Sequence, residues 1–169
     1  MHQEVEQFVS EIKIFFPEKF SDQHVLDCGS LDINGSLRKF FHRGTYHGID
    51  IATGRGVDEN ILIENYLKRG DKLFDVIVSS ESLEHDKDWR TSWRHIIKSL
   101  RPGGLVIMTC AGSDRAEHGT VGHGPNLSPA TNDYYQNREL SDFRIPDDTS
   151  FKLSRYVRGK KDINLAFKL

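Results

Sequence analysis

The alternation of short apolar runs with amphipathic stretches is the feature that most limits how this chain can fold. Amphipathic stretches of helical period lie at residues 5–16 and at residues 86–100. Because strands that alternate with helices form βαβ units, the pattern predicts an α/β fold with a mostly parallel sheet flanked by helices. The apolar runs of strand length are residues 24–28, 45–51, 74–80 and 104–111.

Each predicted helix has one apolar face and a stop signal. Pro17 ends the first helix, and Pro102 with Gly103 ends the second. The apolar face of the first helix consists of Val5, Phe8, Val9 and Ile12. That of the second consists of Trp89, Trp93, Ile96, Ile97 and Leu100.

The remaining stretches are less regular. Residues 36–41 are expected to open a helix, and residues 58–70 are either a short strand followed by a helix or one helix. Residues 112–150 are rich in Gly, Pro, Asn, Asp and His and predict a long loop. Residues 150–169 predict two strands around a turn at Gly159–Asp162, which gives a C-terminal antiparallel hairpin.

Length and composition fit one soluble domain. The chain has 169 residues with no linker that would divide it, so we expect a single domain over residues 1–169. The net charge of −2 gives no general attraction to nucleic acid or to an anionic membrane. No apolar run approaches the roughly 20 residues that a membrane helix needs. Cys28 and Cys110 both lie in apolar runs, which predicts reduced, buried thiols and a cytoplasmic location.

An acid and two glycines follow the first predicted strand. In an open parallel sheet, ligands bind at the carboxyl ends of the strands, and Gly29 lets backbone approach a ligand with no Cβ between them. A helix starting after Gly35 would offer free N–H groups to an anionic ligand. Asp50 ends the second strand, where a carboxylate can accept hydrogen bonds from both hydroxyls of a ribose. These residues favour a nucleoside ligand over a plain turn with a capping acid.

Two other glycine-rich templates do not fit this loop. A phosphate-binding P-loop needs GxxxxGK[ST], but the spacing from Gly29 to Gly35 is one residue too long and no Lys follows. A dinucleotide-binding loop needs GxGxxG, and Leu31 occupies the position of its second glycine. The loop is therefore not built for a pyrophosphate.

Four segments occur in a fixed order along the chain, and they are VLDCGSLDINGS, GIDI, FDVIVSSESLEHDKDW and SLRPGGLVIMT. In this combination, which covers about residues 24–110, the chain resembles the class I S-adenosylmethionine-dependent methyltransferases of the small-molecule, type 11-like kind. The resemblance implies a Rossmann-like sheet and S-adenosyl-L-methionine as cofactor, with S-adenosyl-L-homocysteine as its product.

The resemblance also implies where the cofactor is held. The first loop would hold the methionine part, the acid after the second strand the ribose, and the segment after residue 78 the methyl group. The adenine-side residue stays open between Glu59, Asn60 and Glu64. The first loop carries Leu31, Asp32, Ile33 and Asn34 where the family is richer in glycine. The implied cofactor-binding residues are Asp27, Gly29, Ser30, Leu31, Asn34, Gly35, Asp50, Ile51, Ser79, Ser80 and Glu81.

The long loop supplies candidates for the methyl acceptor side. A hydroxyl acceptor needs a group that takes its proton, and His118 is the first candidate for that base, followed by His85 and His123. Each of them could instead be an ordinary polar loop residue or a brace for the next helix. The predicted acceptor-binding residues are Asp133, Tyr134 and Tyr135.

A metal is possible but not favoured on the sequence. Magnesium prefers oxygen ligands, so a Glu117–His118–His123–Asp133 site with two histidines is unattractive for it.

The loop with Asp133, Tyr134 and Tyr135 resembles those of methyltransferases found with cell-surface polysaccharide genes, which implies transfer of a methyl group to a hydroxyl of a sugar, a glycan or another small molecule. A nucleic-acid or protein methyltransferase and a non-catalytic cofactor-binding subunit are the alternatives, and a dehydrogenase is a third. A partner domain or a homo-oligomer is possible, a nucleic-acid partner is disfavoured, and no membrane partner is expected.

Overall fold

The computed structural model describes residues 3–70 and 73–169. Its helices are α1 (Gln3–Phe15), α2 (Ile63–Leu67) and α3 (Trp89–Lys98). Short 3₁₀ turns cover Pro17–Phe20, Leu37–Phe40, Pro125–Leu127 and Leu140–Asp142. The strands are β1 (His24–Cys28), β2 (Thr45–Asp50), β3 (Glu59–Asn60), β4 (Phe74–Ser80), β5 (Leu100–Ala111), β6 (Phe151–Val157) and β7 (Asp162–Lys168).

The described strands form a seven-stranded sheet in the order β3-β2-β1-β4-β5-β7-β6. The first five strands of that order pair in parallel, whereas β7 pairs antiparallel with both β5 and β6. The prediction of a Rossmann-like, mostly parallel sheet flanked by helices, with an antiparallel C-terminal hairpin, is confirmed. The strand order reverses between β1 and β4, and this switch point is where such a sheet leaves room for a ligand.

Helices cover both faces of the sheet because each has one apolar face. The predicted face of α1 is buried in full and packs with Val76 and Val78 of β4. On the opposite face, α2 and α3 pack with Ile77 of β4. Trp93 of α3 also donates its indole N–H to the carbonyl oxygen of Arg144 at 3.0 Å, which ties the long loop to this layer.

The prediction that residues 36–41 open a helix is wrong. Only a four-residue 3₁₀ turn forms, and the Ser36 hydroxyl oxygen accepts the N–H of Arg38 at its start. The chain then becomes extended at Phe41, whose ring stacks on Phe20 with centroids 4.8 Å apart. This aromatic packing leads the chain directly into β2, so no helix N-terminus is available here for an anionic ligand.

Two other boundaries also depend on tertiary contacts. Residues 58–70 form the short strand β3 followed by α2, the first of the two alternatives. The second long helix ends at Lys98, before Leu100 of its predicted face, and the predicted stop signals Pro102 and Gly103 lie within β5, which begins at Leu100 rather than at Gly104. Leu100 pairs with Phe74 before a register shift, and Arg101 forms an ion pair with Asp75 at 2.8 Å.

Among the described residues, no helix combines the length and the apolar character that crossing a bilayer requires.

Candidate functional site

A cleft of about 700 Å³ lies at the carboxyl ends of the parallel strands. It is termed the carboxyl-edge cleft and is lined by the segments that follow β1, β2, β3, β4 and β5. Neighbouring strands lie about 4.8 Å apart, so a ligand reaching from the β2 end to the β4 end spans roughly 10 Å. The sheet order therefore gives the cleft two distinct ends, one near β2 and β3 and one near β4 and β5.

Asp50 is fixed at the β2 end by backbone donors. Its Oδ2 accepts from the Leu31 N–H at 3.1 Å, and its Oδ1 accepts from the Ala52 N–H at 2.8 Å. Burial raises the pKa of this carboxyl, and the backbone hydrogen bonds oppose that rise. Each carboxylate oxygen has a second lone pair, so the oriented group can still accept hydrogen bonds from a ligand in the cleft.

Gly29 provides the close approach that the sequence suggests. Its backbone has a φ of +83°, and a Cβ at this position would lie 2.3 Å from Ser82 Oγ and 2.4 Å from Ser82 Cβ. The loop after β1 and the loop after β4 thus come together where any side chain would separate them. This contact fixes the positions of two walls of the carboxyl-edge cleft relative to each other.

Asp27 is a buried carboxyl on the cleft wall. It is 4 % exposed, and burial raises its pKa to about 7, although the Tyr46 hydroxyl donates to Oδ2 at 2.7 Å. A positively charged ligand next to this carboxyl would favour its ionised form. Asp27 is therefore suited to a cationic ligand.

Asp27→Asn is expected to flatten the pH dependence of stability. An unfolded aspartate ionises near pH 3.9, whereas folded Asp27 keeps its proton up to about pH 7. Between these values Asp27 makes the wild type lose up to about 4 kcal/mol of stability as pH rises, and the variant should lack this contribution. Urea unfolding at about pH 5 and about pH 8 measures the difference. If the free energy of unfolding changed equally with pH in the two proteins, Asp27 would not be buried and protonated in the folded state.

Glu81, the first residue after β4, has a strained backbone. Its φ is +53°, which is unusual for a residue with a side chain, and its N–H donates to the carbonyl oxygen of Thr109. The Glu81 carboxylate lies 3.7 Å from the guanidinium of Arg115, which also pairs with Asp162. A strained backbone persists where surrounding contacts hold it. At Glu81 it directs the acidic side chain into the cleft.

Three titratable side chains cluster at the β4–β5 end. Glu84, His85 and His118 each offer a ligand atom, and these atoms lie within 4.8 Å of one another. The two imidazole rings are nearly perpendicular with centroids 5.4 Å apart, and the ring of Tyr135 contacts both. Burial raises the pKa of Glu84 well above its usual range, and the charge of Glu81 adds to that effect. Burial lowers the pKa of His118 and lowers that of His85 to about 4, so both rings are neutral near pH 7.

Arg138 holds the long loop against this cluster. Its guanidinium is buried, donates to the carbonyl oxygens of Leu83 and Asp86, and lies over the ring of Trp89. The backbone N–H of Arg138 donates to the carbonyl oxygen of Ala111 at the end of β5. Residues 112–150 are therefore anchored to the loop that carries His85, although their sequence predicts only an irregular segment.

The structure brings most of the predicted site residues to one cleft. His123 instead lies near Glu117, with 3.5 Å between Nδ1 and Oε1, and Ser79 is buried within β4. Tyr134 donates its hydroxyl to Gln136, and Tyr135 packs behind the histidines, so neither lines the wall. The predicted residues that do line it are Asp27, Gly29, Ser30, Leu31, Asn34, Gly35, Asp50, Ile51, Ser80, Glu81, His85, His118 and Asp133.

Sequence reasoning missed several wall residues. The adenine-side candidates Glu59, Asn60 and Glu64 are polar, but the cleft is lined after β3 by Ile61, Leu62 and Ile63. Ser82 and Arg115 also line the cleft. Each follows the carboxyl end of a parallel strand, and this position in the sequence could have identified both as wall residues. Glu84 is fully buried and does not line the wall, and it was missed because His118 lies 34 residues away in sequence.

The fold and cleft define a Rossmann-like protein whose ligand site lies at the switch point of its sheet. A family model described as a methyltransferase domain matches residues 1–143, which is most of the chain. The chain belongs to this methyltransferase family, and its assignment to the class I S-adenosylmethionine-dependent methyltransferases is confirmed.

Solved structures with the same fold are distant in sequence. The N-methyltransferase NodS from Bradyrhizobium japonicum, in complex with S-adenosylhomocysteine, is 13% identical with a TM-score of 0.59, covering 96% of this chain and 85% of its own. A 1,6-didemethyltoxoflavin N1-methyltransferase from Burkholderia thailandensis is 14% identical with a TM-score of 0.59, at 97% and 77% coverage. A methyltransferase from Archaeoglobus fulgidus is 12% identical with a TM-score of 0.61, at 98% and 94% coverage. No curated protein matches the chain.

Proposed function

We propose that this methyltransferase transfers a methyl group to a hydroxyl of a sugar, a glycan or another small molecule. The observation that supports this most is the continuity of the carboxyl-edge cleft. The cleft joins Asp50 and the Gly29 turn at one end to His85 and His118 at the other. Cofactor and acceptor can therefore meet end to end, as direct transfer between them requires.

The residues of the β1 and β2 ends fit the cofactor. Asp50 has lone pairs left for the ribose hydroxyls, and Ile61, Leu62 and Ile63 offer an apolar surface to the adenine ring. Asp27 lies where a positive charge would keep it ionised, which suits a sulfonium. S-adenosylmethionine supplies an electrophilic methyl group, and the protein's part is to bind it, orient it and keep the acceptor in line.

At the acceptor end, His118 is our proposed proton acceptor. Its Nδ1 lies 3.1 Å from the carbonyl oxygen of Ala116, which places the ring proton on Nδ1 and leaves the lone pair on Nε2. A neutral imidazole in this tautomer can take the proton that a hydroxyl loses on methylation. Asp133, which is paired with Lys87 across the cleft, is placed to bind polar groups of the acceptor.

A nitrogen acceptor is the second candidate. It is favoured by two neighbours of the same fold, which are named as N-methyltransferases. An amine also loses a proton on methylation, so the same histidine would serve. Fragmentation of the methylated product by mass spectrometry separates O-methyl from N-methyl products.

Asp50→Ala is expected to weaken S-adenosylhomocysteine binding by about ten- to a hundredfold. The variant removes the oriented acceptor, and hydrogen bonds to charged groups contribute about 1.5–3 kcal/mol. Isothermal titration calorimetry measures the affinity. Asp58→Ala is the matched control, since Asp58 bonds the Gly48 N–H and Arg38 rather than the cleft. Unchanged affinity in Asp50→Ala would show that this carboxylate does not hold the ribose.

The function itself is tested with two cofactors and three acceptor pools. Calorimetry should show binding of S-adenosylhomocysteine and no binding of NAD. A dehydrogenase would instead bind NAD and not S-adenosylhomocysteine. Methyl-labelled S-adenosylmethionine is then incubated with the protein and with sugars and metabolites, nucleic acid, or protein. Label in the first pool supports the proposal. Label confined to either other pool, or cofactor binding without any transfer, overturns it.

A further inference from the structure

We propose that Glu84, His85 and His118 form a binding site for one divalent first-row transition-metal ion. The inference rests on the proposed function only in placing this site at the acceptor end of the cleft. Two imidazoles and a carboxylate whose ligand atoms lie within 4.8 Å of one another can converge on one ion with small side-chain movements.

Both histidines are oriented in the way that metal ligands usually are. His85 Nδ1 lies 3.3 Å from the carbonyl oxygen of Tyr134, and His118 Nδ1 lies 3.1 Å from that of Ala116. Each carbonyl accepts the Nδ1 proton, so each ring keeps its lone pair on Nε2. A backbone carbonyl behind a metal-bound histidine fixes the tautomer and the ring orientation in the same way.

Glu84 is the observation that points to a ligand. The residue is fully buried, and its Oε1 accepts the Ala111 N–H at 3.2 Å. Its Oε2 is buried and has no hydrogen-bond partner among the described residues. A buried carboxyl oxygen without a partner is costly, and coordination of a cation would satisfy it.

Charges of both signs act on the cluster: besides burial, the positive charge of Arg138 lowers the pKa of His85 and that of Arg115 lowers the pKa of His118. Glu81 is an acid outside the three ligands, and its negative charge adds to the effect of burial in raising the pKa of Glu84. Arg115 is paired with Asp162 and lies beside Glu81, and Arg138 donates to backbone carbonyls. Both guanidinium groups are thus engaged with negatively charged or polar oxygens around the site.

The donor set selects the kind of metal. Two imidazole nitrogens and one carboxylate oxygen suit Zn²⁺, Mn²⁺, Fe²⁺ or Co²⁺, whereas Mg²⁺ prefers a full set of oxygens. This set differs from the Glu117–His118–His123–Asp133 group that the sequence suggested, because Glu117 contacts Thr120 and His123 while Asp133 pairs with Lys87.

The site changes the role of His118. With an ion bound, Nε2 of His118 would be a ligand, and an acceptor hydroxyl bound to the ion would lose its proton more readily, to solvent instead of to His118. Without an ion, Nε2 remains the proton acceptor. The two roles exclude each other, so metal binding decides between them.

The test uses Co²⁺ as the probe. Protein stripped with EDTA is titrated with CoCl₂ and followed by visible d–d absorption. We expect one equivalent to bind, excess Zn²⁺ to displace it, and an equal concentration of Mg²⁺ to leave it in place. Glu84→Gln, His85→Ala and His118→Ala should each weaken Co²⁺ binding at least about tenfold. His123→Ala should leave Co²⁺ binding unchanged.

The controls keep this test independent of the fold and of the proposed function. Glu84→Gln retains a carbonyl oxygen that can accept the Ala111 N–H, and circular dichroism reports whether each variant folds. S-adenosylhomocysteine affinity should be the same with and without Co²⁺, so a failed metal titration with intact cofactor binding overturns only the metal site. Absent binding, or binding equal in the ligand variants and the wild type, overturns it.

Discussion

His118→Ala is expected to reduce methyl transfer by a factor of about 10²–10⁴, because proton removal by a positioned group contributes that much to such reactions. S-adenosylhomocysteine should bind as it does to the wild type, since His118 lies at the end of the carboxyl-edge cleft away from Asp50. The measurement is the initial rate with labelled cofactor and the acceptor found in the pool experiment, combined with calorimetry on the same samples.

His123→Ala is the matched control for this result. His123 belongs to the same loop, but the structure places it outside the cleft wall, where its side chain is 60% exposed. The variant should keep the wild-type rate. Equal rates in His118→Ala and the wild type would remove His118 from the acceptor chemistry, both as a base and as a metal ligand.

Gly29→Ala is expected to weaken S-adenosylhomocysteine binding by at least about tenfold. The added Cβ would lie 2.3 Å from Ser82 Oγ and would require a backbone with a φ of +83°. Overpacking of this kind costs about 1–3 kcal/mol of stability, and the affinity falls to the extent that ligand binding must restore the displaced segment against this cost, with about 1.4 kcal/mol for each factor of ten. The segment after β4 must move, and this segment lines the cleft. Calorimetry measures the loss, and circular dichroism shows whether the variant folds.

A second substitution separates the clash from the backbone strain. Ser82→Gly removes the Cβ and Oγ that the new side chain would meet, so Gly29→Ala with Ser82→Gly should regain part of the affinity. The remainder reports the strain at φ +83°, which no change at residue 82 relieves. Gly122→Ala should have no effect, because nothing lies within 4 Å of a Cβ built there. Full affinity in Gly29→Ala alone would show that the close approach is not needed.

The segment after β1 shows where local pattern stops being informative. Residues 36–41 have helical character in isolation, but Phe41 packs on Phe20 and ends the turn after four residues. Asp32 accepts the N–H of Gly35 at 2.7 Å, so this N–H is already used within the loop. Whether the backbone N–H groups of this segment are available to a ligand therefore depends on tertiary contacts, which the local sequence pattern does not reveal.

The sequence by itself determined the sheet, the order of its elements and the acids and glycines at its carboxyl edge. These follow from hydrophobic period and from turn residues, which act over a few neighbouring positions. Only the tertiary structure decided which side chains of residues 81–150 meet. Arg138 fixes that loop through buried hydrogen bonds to Leu83 and Asp86, and this anchor brings His118 to Glu84 and His85. Contacts between residues so far apart in sequence arise from packing, and packing is not encoded in local periodicity.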